Sequence, residues 1–341
     1  MTSPIEAVRV AIAGASSLRG KELRQWLEES DFPVSGIRLL DEEFVAGTLT
    51  EAAGEPVVIE TVDEDSFQRA RFAFFAGSPG FAARHGMKAQ SSGAVVIDLS
   101  GGLVSEPSAR AWIPTLDSVM PSPAGKLSVG VPQSLFLVPS TPADIAISLS
   151  AALAPLEPAR LAVTFFRPAS ERGREAVEEL EDQVVKLLSF QPIAQKVFDT
   201  QAGFNMLSSY GPRSAEKLGD VRASIVSEVR SYLANRVPMP AIALVQVPAF
   251  YSYTFTAYAE FSSPPALDDL ATRLQEAGLK VTAADDELPT NVNVAGESRP
   301  VLGQPERDPS IENAVWFWGA ADNMRVPAAT AVTIAEKLLA S

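Results

Sequence analysis

The chain has 341 residues, 46% of them hydrophobic and 21% charged, a composition typical of a soluble globular protein with about two domains. Its formal net charge of -14 argues against nucleic acid or an anionic membrane surface as a partner, and no apolar run is long enough to cross a bilayer. The lack of cysteine and the single histidine, His85, exclude disulfides, thiolate catalysis and a Cys–His pair, and no segment has the spacing of a metal site. Residues 1–10 lack a basic and then apolar signal, so we expect a cytoplasmic protein.

Residues 8–20 predict a strand, a glycine turn and the start of a helix. A short β-branched apolar run ends at Gly14, and apolar residues at helical spacing follow Gly20. Such a turn directs backbone N–H groups and the positive end of the helix dipole at one spot, where a pyrophosphate can bind. The middle glycine of the usual fingerprint is missing, so an ordinary βα turn that binds nothing stays an alternative. The candidate nucleotide-binding residues of this turn are Gly14, Ser16, Ser17 and Leu18.

A second strand over residues 37–40 ends in three acidic residues, Asp41, Glu42 and Glu43. An acid about 20 positions past the glycine turn can accept hydrogen bonds from an adenosine ribose, and it repels a 2′-phosphate. Asp41 is therefore a candidate cofactor-binding residue that favours NAD over NADP. The alternative is a solvated acidic turn.

The next segments alternate between strands and a helix. Strands are predicted by the apolar runs 57–60, 72–76 and 94–99, and a helix by residues 82–90. This alternation predicts a parallel, doubly wound sheet, with Gly77 in a turn at the edge where ligands bind. We expect His85 to be a surface residue of the helix.

Residues 104–141 are rich in Pro, Ser and Gly, which predicts a domain boundary near residue 135. Beyond it the predicted elements are a helix with an apolar stripe at Ile145, Leu149, Ala152 and Leu153, a strand at 161–166, an amphipathic helix containing Val177, Leu180, Val184 and Leu187, strands at 251–261 and 315–318, and a closing helix at 328–339. Strict alternation over 251–261 indicates an antiparallel strand in a sheet covered on one side, and such a sheet can meet a partner subunit.

Several segments together resemble the bacterial aspartate-semialdehyde dehydrogenases over essentially the whole chain. They are residues 8–40, 94–102, 169–183, 245–255 and 307–339. The resemblance implies an α/β, Rossmann-like NAD(P)-binding domain over residues 1–135, completed by the C-terminal helix 322–341. It also implies a mixed α+β substrate and dimerisation domain over 136–321, and a homodimer.

The positions that carry the family's chemistry hold other residues in this chain. In the family a cysteine thiolate adds to the aldehyde, hydride passes to NADP, and phosphate releases the acyl group. The cysteine position falls on Asp144, the active-site glutamine on Arg167, and the histidine on Tyr253, with Ser252 in place of the preceding glycine. We therefore expect no catalytic residue at these three degenerate positions, with Asp144 acting as a helix-end acid and Tyr253 as a packing residue.

Other departures from the family pattern agree with this. The arginine of the phosphate loop falls on Val104, and a lysine falls on Ser231. The serine and arginine that read the NADP 2′-phosphate fall on Glu42 and Phe44. Asn323, in a stretch resembling the family's Ala-Asp-Asn-Leu-Arg-Lys-Gly, is a candidate cofactor-binding residue, or it holds the C-terminal helix in place.

Within the family, these substitutions resemble the Usg-type paralogues, which lack the catalytic cysteine and histidine. The first hypothesis is a homodimer that has lost phosphorylating semialdehyde dehydrogenase activity. The second is an NAD-preferring oxidoreductase that acts on an aldehyde or a related small substrate, with Asp144, Arg167 or Tyr253 in new roles. The third is a protein whose surface binds another enzyme of the same family. The cofactor is NAD or NADP, with NAD favoured, or none.

Overall fold

The computed structural model describes residues 7–52, 55–120 and 134–340. Residues 1–6, where no signal was expected, and 121–133, within the predicted boundary segment, lie outside the described residues. The chain forms two units: Met1–Asp117 with Pro121–Ser140 and Pro327–Ser341, and Ser118–Met120 with Thr141–Val326. The boundaries drawn from the sequence stay a prediction.

The first unit is built on a seven-stranded, entirely parallel sheet in the order β5-β2-β1-β6-β7-β9-β8. The strands of this unit are β1 Val8–Ala13, β2 Val34–Asp41, β3 Leu49–Ala52, β4 Glu55–Val58, β5 Glu60–Thr61, β6 Phe72–Phe75, β7 Val95–Asp98, β8 Arg110–Ala111 and β9 Leu135–Leu137. Its helices are α1 Leu18–Glu29 and α2 Pro79–Ser91, and most of a later helix, α7 Arg325–Ala340, also belongs to it.

Both faces of this sheet are covered. Alternate residues of β6, Phe72 and Phe74 on one side and Ala73 and Phe75 on the other, enter two separate hydrophobic clusters. The first cluster includes residues of α1 and α7, and the second includes residues of α2. Because both faces are buried, the strands are continuous apolar runs, as in the predicted doubly wound sheet.

The apolar run 57–60 is not one strand, contrary to the prediction. β4 ends at Val58 and pairs with β3 as an antiparallel hairpin, whereas β5 begins at Glu60 and pairs with β2. The intervening Ile59 is buried in the cluster that contains α1. The chain changes partner at this residue, which an apolar pattern cannot indicate.

The second unit contains a mixed sheet in the order β11-β10-β12-β16-β14-β13, with β15 paired to β16. Its strands are β10 Arg160–Arg167, β11 Ala241–Gln246, β12 Tyr253–Glu260, β13 Lys280–Val281, β14 Val301–Leu302, β15 Glu306–Arg307 and β16 Ala314–Ala321. Its helices are α3 Thr141–Leu153, α4 Arg174–Leu188, α5 Leu218–Leu233 and α6 Leu267–Glu276. The two units together confirm the predicted fold class. The sequence interpretation missed α5, α6, β11 and the short strands β13, β14 and β15.

Two elements of this unit differ from their sequence patterns. β12 begins at Tyr253 rather than Tyr251, because Ser252 has a left-handed backbone with φ of 65° and the alternation starts only after it. Tyr251 is exposed as a result. Helix α3 is buried on every side rather than along a stripe, as expected of a helix enclosed by other elements. In the part of the chain that is described, no helix is long and apolar enough to span a membrane.

Candidate functional site

The glycine turn of the first unit is required by backbone packing. Gly14 has φ of +87°, and a Cβ built on it would lie 2.2 Å from the backbone N and Cα of Gly77. A Cβ on Gly20 would lie 2.2 Å from the carbonyl oxygen of Gly14. No L side chain fits at these contacts, so the glycines bring the two turns that follow β1 and β6 into direct contact.

Side-chain hydrogen bonds stabilise this turn, and they involve Ser16, Ser17 and Asp41. The Asp41 carboxylate accepts the backbone N–H of Ser16 at 2.7 Å and that of Glu42 at 2.8 Å. Ser17 is the N-cap of α1: its hydroxyl accepts the N–H of Gly20 at 2.8 Å and donates to the carbonyl of Ala76 at 2.8 Å. Asp41 is buried, so its carboxylate stabilises the turn from the protein interior.

The structure thus brings six predicted cofactor residues to one edge of the parallel sheet. They are Gly14, Ser16, Ser17, Leu18, Asp41 and Gly77. The N–H groups of Gly14 and Ala15 donate to the Leu40 carbonyl, and that of Ser17 donates to Gly14. In the first turn of α1 the N–H of Gly20 donates to the Ser17 hydroxyl and that of Lys21 donates to the Ser17 carbonyl. The feature that fits a pyrophosphate at this end is therefore the positive end of the helix dipole.

The acidic turn after β2 presents Glu42 rather than Asp41 outward. Glu42 is half-buried and forms an ion pair with Arg84 of α2. Phe44 is 88% exposed. A carboxylate at position 42 opposes a 2′-phosphate, whereas Arg84 is a cation that could pair with one if Glu42 released it.

Asp98 organises the loop after β7. Its carboxylate accepts the Ser100 N–H at 2.8 Å and the Leu103 N–H at 2.9 Å, which folds residues 99–103 into a tight loop. Burial raises the pKa of Asp98, and these hydrogen bonds oppose the rise. Val104, which we expect at the position of the family's phosphate-loop arginine, follows this loop and is exposed.

In the second unit, Asp144 lies in the first turn of α3 and is buried. Its carboxylate accepts a hydrogen bond from the Ser148 hydroxyl at 3.1 Å. Burial raises its pKa to about 6, and the bond from Ser148 opposes the rise. A carboxyl that is partly protonated near neutral pH and already paired is a poor nucleophile toward an aldehyde.

Arg167, at the end of β10, is buried and forms an ion pair with Glu216. Its Nη1 donates to Glu216 at 2.6 Å and its Nη2 donates to the same carboxylate at 3.2 Å. Nη1 also donates to the Tyr210 hydroxyl at 2.7 Å, which in turn donates to Gln246 at 2.7 Å. Burial lowers the pKa of Arg167, but Tyr253, Tyr210 and Glu216 outweigh it, so the guanidinium stays charged.

Tyr253 is buried at the start of β12, edge to face against Phe165. Burial, reinforced by Glu171, holds the pKa of Tyr253 well above its ordinary value, and Arg167 beside the hydroxyl opposes the rise. A phenol with this pKa is neutral at physiological pH and does not act as a general base. The structure therefore brings Arg167 and Tyr253 together, whereas the hydrogen bond of Asp144 is made within α3.

Asn323 is buried in the second unit and binds protein groups. Its Oδ1 accepts the Ser252 N–H at 2.9 Å. Its Nδ2 donates to Ser170 at 3.1 Å and to Glu171 at 2.7 Å. Asn323 thus joins the segment before β12 to the turn after β10, which favours the structural alternative for this residue.

Sequence reasoning missed Tyr210, Glu216 and Gln246. A buried arginine requires a counterion, so Arg167 at the end of an apolar strand was a signal that an acid must approach it. Nothing in the sequence indicated Glu216, which lies 49 positions away.

His85 is half-buried against Phe81 rather than fully at the surface, and burial lowers its pKa. Among the described residues no group of acidic or histidine side chains could hold a metal ion.

Comparisons with known proteins agree over nearly the whole chain. Two family models match: semialdehyde dehydrogenase, NAD binding domain, at residues 9–127, and semialdehyde dehydrogenase, dimerisation domain, at 149–326. A USG-1 protein homolog of Pseudomonas aeruginosa is 30% identical over 98% of each chain. The aspartate-semialdehyde dehydrogenase of Shewanella violacea is 26% identical over 97% of each chain.

The solved structures agree as well. A probable aspartate-semialdehyde dehydrogenase from Pseudomonas aeruginosa covers 98% of this chain and 99% of its own, with a TM-score of 0.85 and 27% identity. The predicted resemblance, including that to the Usg-type members, is confirmed. The chain contains an NAD-binding domain and a dimerisation domain of one family. It belongs to the aspartate-semialdehyde dehydrogenase family.

Proposed function

We propose that the protein is a homodimer of this family that has lost phosphorylating semialdehyde dehydrogenase activity. The proposal rests mainly on the residue at position 144, which is an aspartate. The position of the family's nucleophile holds a buried carboxyl group with a pKa of about 6 and a hydrogen bond from Ser148. A chain without cysteine has no thiolate to replace it.

The positions of the base and the substrate-binding groups support the same proposal. Tyr253 is a buried neutral phenol, and Arg167 is neutralised by Glu216. Losing one acid–base group alone typically costs a factor of ~10²–10⁴ in rate. Catalytic groups act as a unit, so the losses do not simply multiply, but the expected family activity is close to nil.

The outer face of the second sheet supports the homodimer. Trp316 and Trp318 of β16 are 40% and 38% exposed. Their rings contact those of Tyr258 on the adjacent strand β12 and Phe166 on β10, one strand further along the sheet. Large aromatic side chains on one sheet face are typical of an interface. We expect the wild-type chain to sediment as a dimer, and Trp316→Arg to shift it toward monomer.

We further propose that the first unit binds NAD in preference to NADP, through the turn of Gly14, Ser16, Ser17 and Leu18 together with Asp41 and Gly77. The support is a turn whose close packing is intact and an outward Glu42 that opposes a 2′-phosphate. The intact turn and the outward Glu42 also favour the second candidate function, an NAD-preferring oxidoreductase acting on an aldehyde or a related small substrate. The cytoplasmic location stays a prediction.

Two measurements test these proposals. The first is the phosphate-dependent oxidation of aspartate semialdehyde, with an active aspartate-semialdehyde dehydrogenase assayed in parallel. We expect no turnover above background, and measurable turnover by clean protein would refute the loss of activity. The second is calorimetric titration with NAD⁺ and with NADP⁺. Binding of NAD⁺ at micromolar concentration justifies a screen of aldehydes and alcohols, whereas no heat with either nucleotide at millimolar concentration would refute the cofactor proposal.

A further inference from the structure

Two buried arginines in the second unit share one carboxylate that comes from a loop. Arg167 binds both oxygens of Glu216, at 2.6 and 3.2 Å, and the Nε of Arg172 lies 3.2 Å from the same carboxylate. The side chains of Arg167 and Arg172 are 3% and 8% exposed, whereas that of Glu216 is 34% exposed. Glu216 belongs to no helix or strand and lies just before α5. The cations are therefore part of the interior, and their counterion reaches them from the surface.

Arg172 has contacts that do not depend on Glu216. Its Nη1 donates to the Val197 carbonyl at 2.8 Å. Its guanidinium carbon lies 4.7 Å from the ring centroid of Tyr210 and 5.4 Å from that of Phe198. This backbone bond and the two aromatic faces would hold the guanidinium in place if Glu216 moved away.

Arg167 is held in the same way. The Tyr210 hydroxyl accepts from Nη1 at 2.7 Å and is itself bound to Gln246, whose Nε2 donates to the Arg167 carbonyl at 2.9 Å. The Nε of Arg167 is buried and has no hydrogen-bond partner among the described residues. A buried donor without an acceptor is costly, and Glu216 does not satisfy it.

We propose that Arg167 and Arg172 form a receptor for a small-molecule carboxylate, and that Glu216 is an internal carboxylate that occupies the receptor when the ligand is absent. A ligand carboxylate would take the bidentate position of Glu216, and a second acceptor on the ligand would bind the unpartnered Nε of Arg167. The Glu216 side chain would turn into solvent, which it already reaches.

Charge selects a carboxylate over a phosphate. Glu171, which follows Ser170 in the turn after β10 and acts on Tyr253 beside Arg167, is held by the Asn323 amide at 2.7 Å and stays when Glu216 leaves. Together with Glu171, one ligand carboxylate balances the two arginines, and the second carboxylate of a dicarboxylate can stay in solvent, whereas the charges of a phosphate dianion sit on one group and both enter the site. Because the tethered Glu216 competes at a high local concentration, the wild-type protein binds the ligand weakly.

The test is calorimetric titration of the full chain with succinate at constant ionic strength. We expect Glu216→Gln to bind succinate at least about tenfold more tightly than wild type, because the internal competitor is removed. Glu297→Gln, which removes an exposed partner of Lys280 in the same unit, should bind as wild type does. Adding Arg167→Met to Glu216→Gln should abolish binding. Inorganic phosphate should bind more weakly than succinate, and tighter phosphate binding would overturn the carboxylate assignment.

A second variant covers the case in which Glu216→Gln does not fold, since it leaves buried cations without their counterion. Glu216→Asp keeps the charge but is one methylene too short to reach both arginines, and we expect its succinate affinity to exceed that of wild type. Succinate should also raise the melting temperature of either variant more than that of wild type. Folded variants that bind succinate no better than wild type would overturn the proposal. Neither result depends on the dehydrogenase assay, so this proposal and the proposed function fail separately.

Discussion

The side-chain amide of Asn323 binds the backbone N–H of Ser252, 71 positions earlier, at 2.9 Å. The same amide binds Ser170 and Glu171, so one side chain fixes both segments that flank β10 and β12. Asn323→Ala would leave the buried Ser252 N–H without its acceptor. We expect the free energy of unfolding to fall by about 2–3 kcal/mol, measured by urea denaturation.

Asn205→Ala is the matched control, because Asn205 is exposed and its side chain donates to the Gln201 carbonyl four residues earlier. We expect its free energy of unfolding to change by less than about 0.5 kcal/mol. Since the Asn323 amide is occupied by protein groups, NAD affinity of the folded Asn323→Ala variant should equal that of wild type. A folded variant that loses NAD binding would instead return Asn323 to the nucleotide site.

Ser252 occupies a conformation that suits glycine. Its φ is 65°, and its buried hydroxyl has no hydrogen-bond partner among the residues described. Ser252→Gly removes both costs, so we expect stabilisation of about 1–2 kcal/mol, seen as a higher urea midpoint. Ser252→Ala removes only the hydroxyl and should gain less. A stabilisation by alanine equal to that by glycine would show that the backbone conformation carries no strain.

The Asp144 carboxyl makes stability depend on pH. Its pKa of about 6 in the folded protein lies above the ordinary value of 3.8, so the folded state binds more protons between these values and stability falls as pH rises through them. Asp144→Asn keeps the size and the acceptor for Ser148 without the charge. We expect this variant to gain up to about 3 kcal/mol over wild type above pH ~6.5, and little below pH ~4.

Urea denaturation between pH ~4 and pH ~6.5 measures the difference in free energy of unfolding between Asp144→Asn and wild type. Asp220→Asn is the control, since Asp220 also lies in the first turn of a helix, α5, but is exposed. Its effect should be a small loss of stability, since the exposed carboxylate only interacts with the helix dipole. A gain for Asp144→Asn that is equal at both ends of the range would contradict the buried ionisation.

Glu42 is expected to set the choice of nucleotide. Glu42→Ser removes a carboxylate that opposes a 2′-phosphate and releases Arg84 from its ion pair. We expect NADP⁺ affinity to rise about tenfold relative to NAD⁺ in calorimetric titrations. Glu43→Ser, one residue further along and exposed, should leave the ratio unchanged. An unchanged ratio for Glu42→Ser as well would place the adenosine ribose away from this turn.

Much of the fold could be predicted from the local pattern of apolar and turn residues. The strands β1, β2, β6 and β7 and the helices α1 and α2 follow from apolar runs and turn residues, because burial on both faces of a parallel sheet leaves a simple signature, whereas β3, β8 and β9 were not predicted. The pattern failed where a residue changes partner, as at Ile59, or where one left-handed residue interrupts the alternation, as at Ser252. It also failed for α3, because the surroundings of a helix are decided by other elements.

The sequence by itself determined the family, and it supports the proposed loss of activity, since the absence of cysteine can be read without coordinates and we place Asp144 and Tyr253 at the positions of the catalytic cysteine and histidine. Only the tertiary structure decided what the remaining polar groups do. Asp41 faces the glycine turn, and Glu216 neutralises Arg167, across separations of 25 and 49 residues. Hydrogen-bond partners so far apart are chosen by packing, because a buried charge takes whichever partner the fold places beside it.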